Sequence, residues 1–464
     1  MRSVVSIDIG STWTKGACFR LEGGRLAAVR RKAVPTTVHH LAEGFFQLLE
    51  ALEPPAGAPV HFSSSAKGGL AIAAIGIVPG LTLKAARLTA LSAGGKVNAV
   101  FPYKLGRRQV QELEAADPDI VLLSGGTDGG NETYVLHNLG MLKTLSTRPV
   151  VIYAGNEILA ERVCLELAEA GLTAVAAPNL MPEVDRLVPE GARAEIRQVF
   201  LDRIVQGKGL DEIVARTGRA PQPTPCAVMS LVEAVRRQAP DFGDFLLVDM
   251  GGATTDVYSS TSGQPAAERV ILRGLKEPEV KRTVEGDLGM RVSARAAART
   301  GEAVVRRLLG EDAKVGFEAY LDRIEADPGR LGGDGAERSY NEALASACIH
   351  HALQRHAGTF TRVFAAEGEV HLQEGKDLRA VRKLIGSGGY LGAARAFTPT
   401  ALLQPAPGPQ ERIPLVPRAC SYYRDKDYLF PLLGNLAADF EREAARGALG
   451  ALELVHEELV EIAG

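Results

Sequence analysis

One short pattern occurs twice in this chain, and it constrains the fold more than any bulk property. Residues 3–9 (SVVSIDI) read as a buried strand, followed by Gly10-Ser11-Thr12 and a second strand near 14–20. Residues 245–249 (FLLVD) read the same way, followed by Met250-Gly251-Gly252-Ala253-Thr254-Thr255-Asp256 and a strand near 256–260. Aligned without gaps, Asp8 falls on Asp249, Gly10 on Gly251 and Thr14 on Thr255. Such an internal repeat implies two similar lobes, one starting near residue 1 and one near 243. The chain has 464 residues, enough for more than one core.

The repeat also carries chemistry. A strand delivers Asp8 at its end, Gly10 permits a tight turn, and Ser11, Thr12 and Trp13 offer consecutive amides, an arrangement suited to anions. Asp8 would face a Mg²⁺, and Lys15 could reach a phosphate as a point charge. Alone, this motif is equally an ordinary Gly-containing hairpin. The second copy tips the balance, because two facing loops can grip a phosphate tail from both sides. There Asp249 would orient a water or hold the Mg²⁺ shell, and Thr254 or Thr255 would bond phosphate or the attacking water. A third element, Ile385-Gly386-Ser387-Gly388-Gly389, follows a strand and permits close approach to an adenine and its ribose.

Between the two copies, 97–178 alternates strand and helix: strands at 97–101, 120–124, 150–153 and 173–177, with helices at 107–116 and from Asn156 to about 170. This order indicates parallel βαβ units in an inserted doubly wound subdomain. The reading for the whole chain is α/β. Residues 1–96 begin the first lobe, 97–190 form the inserted subdomain, 191–242 a helical connection, 243–436 the second lobe and 437–464 a C-terminal helix. Helices are also expected at 292–310 and 338–366. Glu285 and Asp287 sit where they would cap a helix or else join the metal or water network, the cap being favoured, and Asp128 where it would bond its own turn.

Bulk properties exclude several functions. A net charge of −3 gives no drive toward nucleic acid or acidic membrane. Five scattered cysteines suggest neither zinc site nor disulfide framework, and the N-terminus reads as neither signal peptide nor membrane span, so a reducing cytoplasm is expected. His39-His40 and His350-His351 point apart on a helix and make poor paired ligands.

The order DIGSTWTK, VDMGGATTDVYS, IGSGGYLG resembles the actin, Hsp70 and sugar-kinase superfamily. The stretches SSSAKGGL, ALSAGGKV, LLSGGTDGGN, VIYAGN, NLMPEV and RTVEGDLGMR narrow the resemblance to the glutamate mutase accessory family called MutL. The resemblance, from residue 3 to about 436, implies a two-lobed actin-like ATPase with duplicated ribonuclease-H-like lobes. It would use ATP and Mg²⁺ to act as a chaperone or reactivase for adenosylcobalamin-dependent mutase subunits. It assigns Asp8, Gly10, Ser11, Thr12 and Lys15 to the first phosphate role, Asp249, Gly251, Gly252 and Thr254 to the second, and Gly386, Gly388 and Gly389 to adenosine. The inserted subdomain resembles a cobalamin-binding domain, yet the Asp-x-His-x-x-Gly ligand motif is missing: His137-x-x-Gly140 has Val135 in place of the Asp. A small-molecule kinase using the same cleft is the alternative.

Overall fold

The structure, a computed structural model, describes residues 3–65, 70–204, 209–262, 270–328, 335–365, 368–399 and 412–457. Parts of two expected features, the SSSAKGGL stretch at 66–69 and the C-terminal helix at 458–464, lie outside them.

The chain opens with an antiparallel meander: β1 (Ser3–Ile9), β2 (Trp13–Glu22) and β3 (Arg25–Pro35). Helix α1 (Leu41–Ala51) then leads to β4 (Val60–Ser64), parallel to β1. A second sheet follows at once. It comprises β5 (Ala71–Gly76), α2 (Lys84–Ser92), β6 (Lys96–Pro102), α3 (Arg107–Ala116), β7 (Ile120–Leu123), α4 (Thr133–Leu142), β8 (Val150–Tyr153), α5 (Ala160–Glu169) and β9 (Ala174–Ala176). All its pairs are parallel, in the order β6-β5-β7-β8-β9, a doubly wound arrangement. Its first strand lies ahead of residue 97, where the alternating pattern had placed the beginning.

That sheet is no independent body. Ile72, Ala74, Ile120, Leu122 and Ile152 pack into one core with Val5, Ile7 and Ile9 of β1, whereas Ala73, Ile75, Val121, Leu123 and Tyr153 cover the opposite face against α3, α4 and α5. Alternation at period two lets one strand serve both cores.

Helices α6 (Glu190–Ile204) and α7 (Leu210–Thr217) lead to the two-residue β10 (Gln222–Pro223), which pairs with β4, and to α8 (Thr224–Gln238). The second lobe repeats the first. Its strands are β11 (Phe245–Met250), β12 (Thr255–Ser260), the separate β13 (Val270–Arg273) and β14 (Val280–Glu285). After α9 (Ala294–Thr300), α10 (Glu302–Leu309), α11 (Lys314–Ala326) and α12 (Ala336–His356) come β15 (Thr359–Ala365), β16 (Gly368–Glu374) and β17 (Lys383–Ser387). The remainder is α13 (Gly389–Ala393), β18 (Arg412–Pro414), β19 (Ser421–Arg424), α14 (Leu429–Gly434), α15 (Glu441–Ala451) and β20 (Glu453–His456). The first sheet runs β10-β4-β1-β2-β3 and the second β19-β17-β11-β12-β14, with the same sense at each step.

Two expected helices are shorter than read. The 338–366 span ends its helix at His356, because Gly358 packs against the backbone of Gly375 and the alternating Thr359-Phe-Thr-Arg-Val-Phe364 pairs antiparallel with β16. The C-terminal span is corrected likewise. Among its described residues only Glu441–Ala451 is helical; Leu452 turns extended, and Glu453–His456 adds to β19, with Glu453 paired to Arg424 at 2.8 Å.

The two lobes share a core in which α8, α14 and α15 lie between the sheets, with Val4, Ala17 and Phe19 on one side and Phe245, Leu247 and Tyr258 on the other. A second junction joins α2 to the second lobe. Lys84 and Lys281 flank Glu277 at 2.7 and 2.9 Å, and Arg282, bonded to Asp256, donates to the Leu91 and Gly95 carbonyls. Burial pushes the Glu277 carboxyl up, but Lys281 and Lys84 outweigh it and hold it at about 2. Its folded pKa is depressed, so its contribution is present above the unfolded carboxylate range and lost as pH falls toward 2. Glu277→Gln leaves two ammonium groups uncompensated and is expected to cost ~3–5 kcal/mol at pH 7. Urea unfolding at pH 7 and pH 3 checks this: the gap from wild type should narrow at pH 3.

Candidate nucleotide site

Strand alternation aims both repeat carboxylates at one place. In β1, Val5, Ile7 and Ile9 face the outer core, so Val4, Ser6 and Asp8 face the seam between the lobes. In β11, Leu246, Val248 and Met250 face the outer core, so Phe245, Leu247 and Asp249 face the same seam. Asp8 and Asp249 sit close enough that the charge of Asp8 raises the proton affinity of Asp249, and Lys15 neighbours both.

The two hairpin tips are built alike. Gly10 N–H donates to Trp13 O at 3.1 Å, and Gly251 N–H to Thr254 O at 2.9 Å. A Cβ on Gly10 would stand 2.7 Å from the Trp13 oxygen, so glycine closes this turn. Among the described residues, the amides of Ser11 and Thr12 in one tip, and of Gly252 and Ala253 in the other, have no protein acceptor. Ser11 and Gly251 are exposed. Two pairs of open amides at equivalent turns make matched anion-binding concavities. The second tip is braced from behind: Arg291 and Met290 amides bond Gly252 and Gly251 carbonyls, and Ser293 Oγ bonds Ala253 O.

The carboxylates differ. Asp8 is buried; its Oδ1 accepts from Ser63 at 2.8 Å and Thr224 at 2.5 Å, and its Oδ2 from Tyr428 at 3.0 Å. Burial raises its pKa, offset by these hydroxyls and Lys15. Asp249 has no hydrogen-bond donor among the described residues. Burial, then the charge of Asp256 across the ladder, pushes it up to about 7. Lys15 lies opposite Asp8 in the ladder, 3.4 Å over the Tyr428 ring; burial lowers its pKa while Asp8, Asp249 and Asp425 raise it.

The third motif reaches the same place. Gly388, at φ 103°, lies so close to the Met250 carbonyl that any side chain would collide, whereas a Cβ on Gly389 would meet nothing within 4 Å. Gly386 packs against the Tyr422 hydroxyl. Ser387 and Thr255 are placed differently from the rest: Ser387 Oγ donates to Asp425 at 2.9 Å and Thr255 Oγ1 to Leu288 O at 2.8 Å, so both hydroxyls brace the framework. Thr254 Oγ1 donates to Asp256 at 3.3 Å.

Glu285 and Asp287 are not caps; both pair with Arg355 of α12, at 2.8 and 2.7 Å. Asp128 does not serve only its own turn. It accepts from Asn179 at 2.8 Å and from the Glu157 amide at 3.0 Å, tying three loops at the carboxyl edge of the parallel sheet. His137 bonds the Leu105 carbonyl. Four site residues escaped sequence reading: Ser63, Thr224, Asp425 and Tyr428. The DKDY stretch after a short strand repeats the strand-end Asp signal, which could have found Asp425.

Among the described residues no cluster of three or more His, Cys, Asp or Glu could hold a metal. Two carboxylates beside open amides do fit Mg²⁺, which is commonly held by one or two carboxylates together with phosphate oxygens. Among the described residues no helix is long and apolar enough to cross a membrane.

Duplicated sheets of this order, each ending in an Asp-x-Gly hairpin at a shared seam, define a two-lobed actin-like fold. The chain matches the family model described as MutL protein over residues 4–449, and it is 35% identical over 458 residues to "Protein MutL" of Clostridium tetanomorphum, covering 96% of this chain and 98% of that one. It belongs to the MutL family. Similar solved structures include a nucleotide-free acetone carboxylase (13% identity, 94% of this chain, 70% of that one, TM-score 0.38). Others are xylulose kinase from Rhodospirillum rubrum (13%, 98% and 94%, TM-score 0.33) and a nucleotide-free diol dehydratase-reactivating factor (10%, 87% and 94%, TM-score 0.31).

Trp13 is the chain's one tryptophan and stands in the first tip. Titration with Mg·ATP is expected to change its fluorescence saturably, and Gly252→Asp, which puts a carboxylate beside the open amides, should weaken the response at least about tenfold.

Proposed function

We propose that this chain binds Mg·ATP between its two hairpins, hydrolyses it slowly, and uses the change to remodel an adenosylcobalamin-dependent mutase. The observation that carries the nucleotide reading is the matched set of open amides and seam-facing carboxylates on both lobes. Asp8 Oδ2 and Asp249 would hold the ion, which would neutralise phosphate charge. Lys15 would leave the Tyr428 ring for a phosphate oxygen, and Thr254 would orient the attacking water. Gly388 and Gly389 would admit the adenosine. Catalysis of this kind is positioning and charge neutralisation.

The mutase reading rests on the family resemblance. The surface offered to it is the carboxyl edge of the parallel sheet, where Val78, Tyr103, Ile158 and Val184 are exposed around the 125–131 loop. The same edge would give differential affinity in the ATP and ADP states, which a remodelling cycle requires.

Asp8→Ala and Asp249→Ala are each expected to lower ATP turnover by about a hundredfold or more, with circular dichroism unchanged. Wild-type turnover in either variant removes that Asp from the site. Because Asp128 holds three loops together, the surface is better tested at exposed positions. Ile158→Asp with Val184→Asp should abolish nucleotide-dependent capture of the mutase and leave basal turnover intact. Capture at wild-type levels in both nucleotide states would reject this edge as the docking surface.

A further inference from the structure

The second lobe sends one residue into the first lobe's phosphate hairpin. Tyr428 opens α14 with a left-handed backbone, φ 55° and ψ 43°, which side chains other than glycine seldom adopt. Its hydroxyl donates to Asp8 Oδ2 at 3.0 Å, and its ring lies 3.4 Å beneath Lys15 Nζ. The other oxygen of Asp8, Oδ1, already accepts from Ser63 and Thr224, both bonded within the first lobe's sheet and its following helix. Tyr428 therefore holds the carboxylate oxygen that Ser63 and Thr224 leave free, and also occupies the one lysine of that hairpin.

The same turn is anchored at both ends. Asp425 accepts from the amides of Leu429 and Phe430 at 2.7 and 3.0 Å and from Ser387 Oγ at 2.9 Å, the residue that leads into Gly388 and Gly389. Asp427 pairs with Arg31 of β3 at 2.6 Å, across the seam. One four-residue turn thus connects the first phosphate hairpin, the adenosine-side glycines and the outer strand of the opposite lobe.

We propose that Tyr428 is a cross-lobe positioning residue: it holds Asp8 and Lys15 in place while the cleft is empty, and Mg·ATP must displace both contacts to bind. This rests on the nucleotide reading above and adds the coupling between the phosphate site and the lobe boundary. The hydroxyl competes with the ion for Asp8 Oδ2, and the ring competes with phosphate for Lys15. Displacement frees the 425–428 turn, and with it the start of α14 in the shared core.

Tyr428→Phe removes the first contact and keeps the ring beneath Lys15. At fixed ATP, its half-saturating Mg²⁺ concentration, read by Trp13 fluorescence, is expected to fall several-fold, with metal-free ATP binding unchanged. A residue that merely fills space would move neither or both. Hydrogen exchange on the wild-type chain gives an independent readout that does not depend on the variant folding: the 421–434 segment should exchange faster with Mg·ATP than with metal-free ATP. If wild type binds Mg·ATP while Tyr428→Phe shows the wild-type Mg²⁺ requirement, or while the segment's exchange is the same in both states, the role of Tyr428 is overturned and the nucleotide site stands. If wild type binds no Mg·ATP, the nucleotide reading falls and this role with it.

Discussion

Two carboxylates aimed at one buried seam set the terms for the rest of the molecule. Asp8 and Asp249 are carried there by strands whose alternate residues are committed to outer cores, so neither can turn away without unpacking a lobe. Burial raises the proton affinity of both, and on Asp249 the charges of Asp256 and then Asp8 add to it, up to about 7. Lys15 supplies one compensating charge. The remainder of the imbalance is what a divalent cation would answer.

The lobes are copies in topology and unequal in detail. Opposite Asp8 in the ladder stands Lys15; opposite Asp249 stands Asp256, which is engaged by Arg282. Asp8 is held by three hydroxyls, whereas no donor among the described residues reaches Asp249. The first lobe thus presents a fixed carboxylate and a cation, and the second an unbonded carboxylate. The Arg282 side chain spends its other donors on Leu91 and Gly95, so the second hairpin is tied to the parallel-sheet unit as well.

The hairpins were legible in the sequence because the pattern is local. An apolar run, an Asp, a Gly and a second strand fall within a dozen residues, and repetition separated signal from chance. The parallel units between them were legible by alternation, though their first strand, Ala71–Gly76, was not, since its neighbour β6 follows a helix and reads more clearly. Thr224 and Tyr428 were invisible for a different reason. Thr224 reaches Asp8 from a helix that follows the short β10 and Tyr428 from the opposite lobe, 216 and 420 residues away along the chain, and neither sits in a pattern of its own. The Pro-rich stretch around Thr224 falls in what reads as a helical connection, yet it delivers a hydroxyl to the buried carboxylate. Glu285 and Asp287 were misplaced because helix-start carboxylates and partners of a distant arginine look identical in one dimension.

A nucleotide gripped from both lobes at once, as proposed above, would draw the lobes together about their shared helices. Small-angle X-ray scattering on the intact chain, with Mg²⁺ and a non-hydrolysable ATP analogue at saturating concentration, tests this directly. A smaller radius of gyration in the complex than in the empty protein is the expected result. Superimposable scattering curves, with binding verified in the same sample, would contradict it.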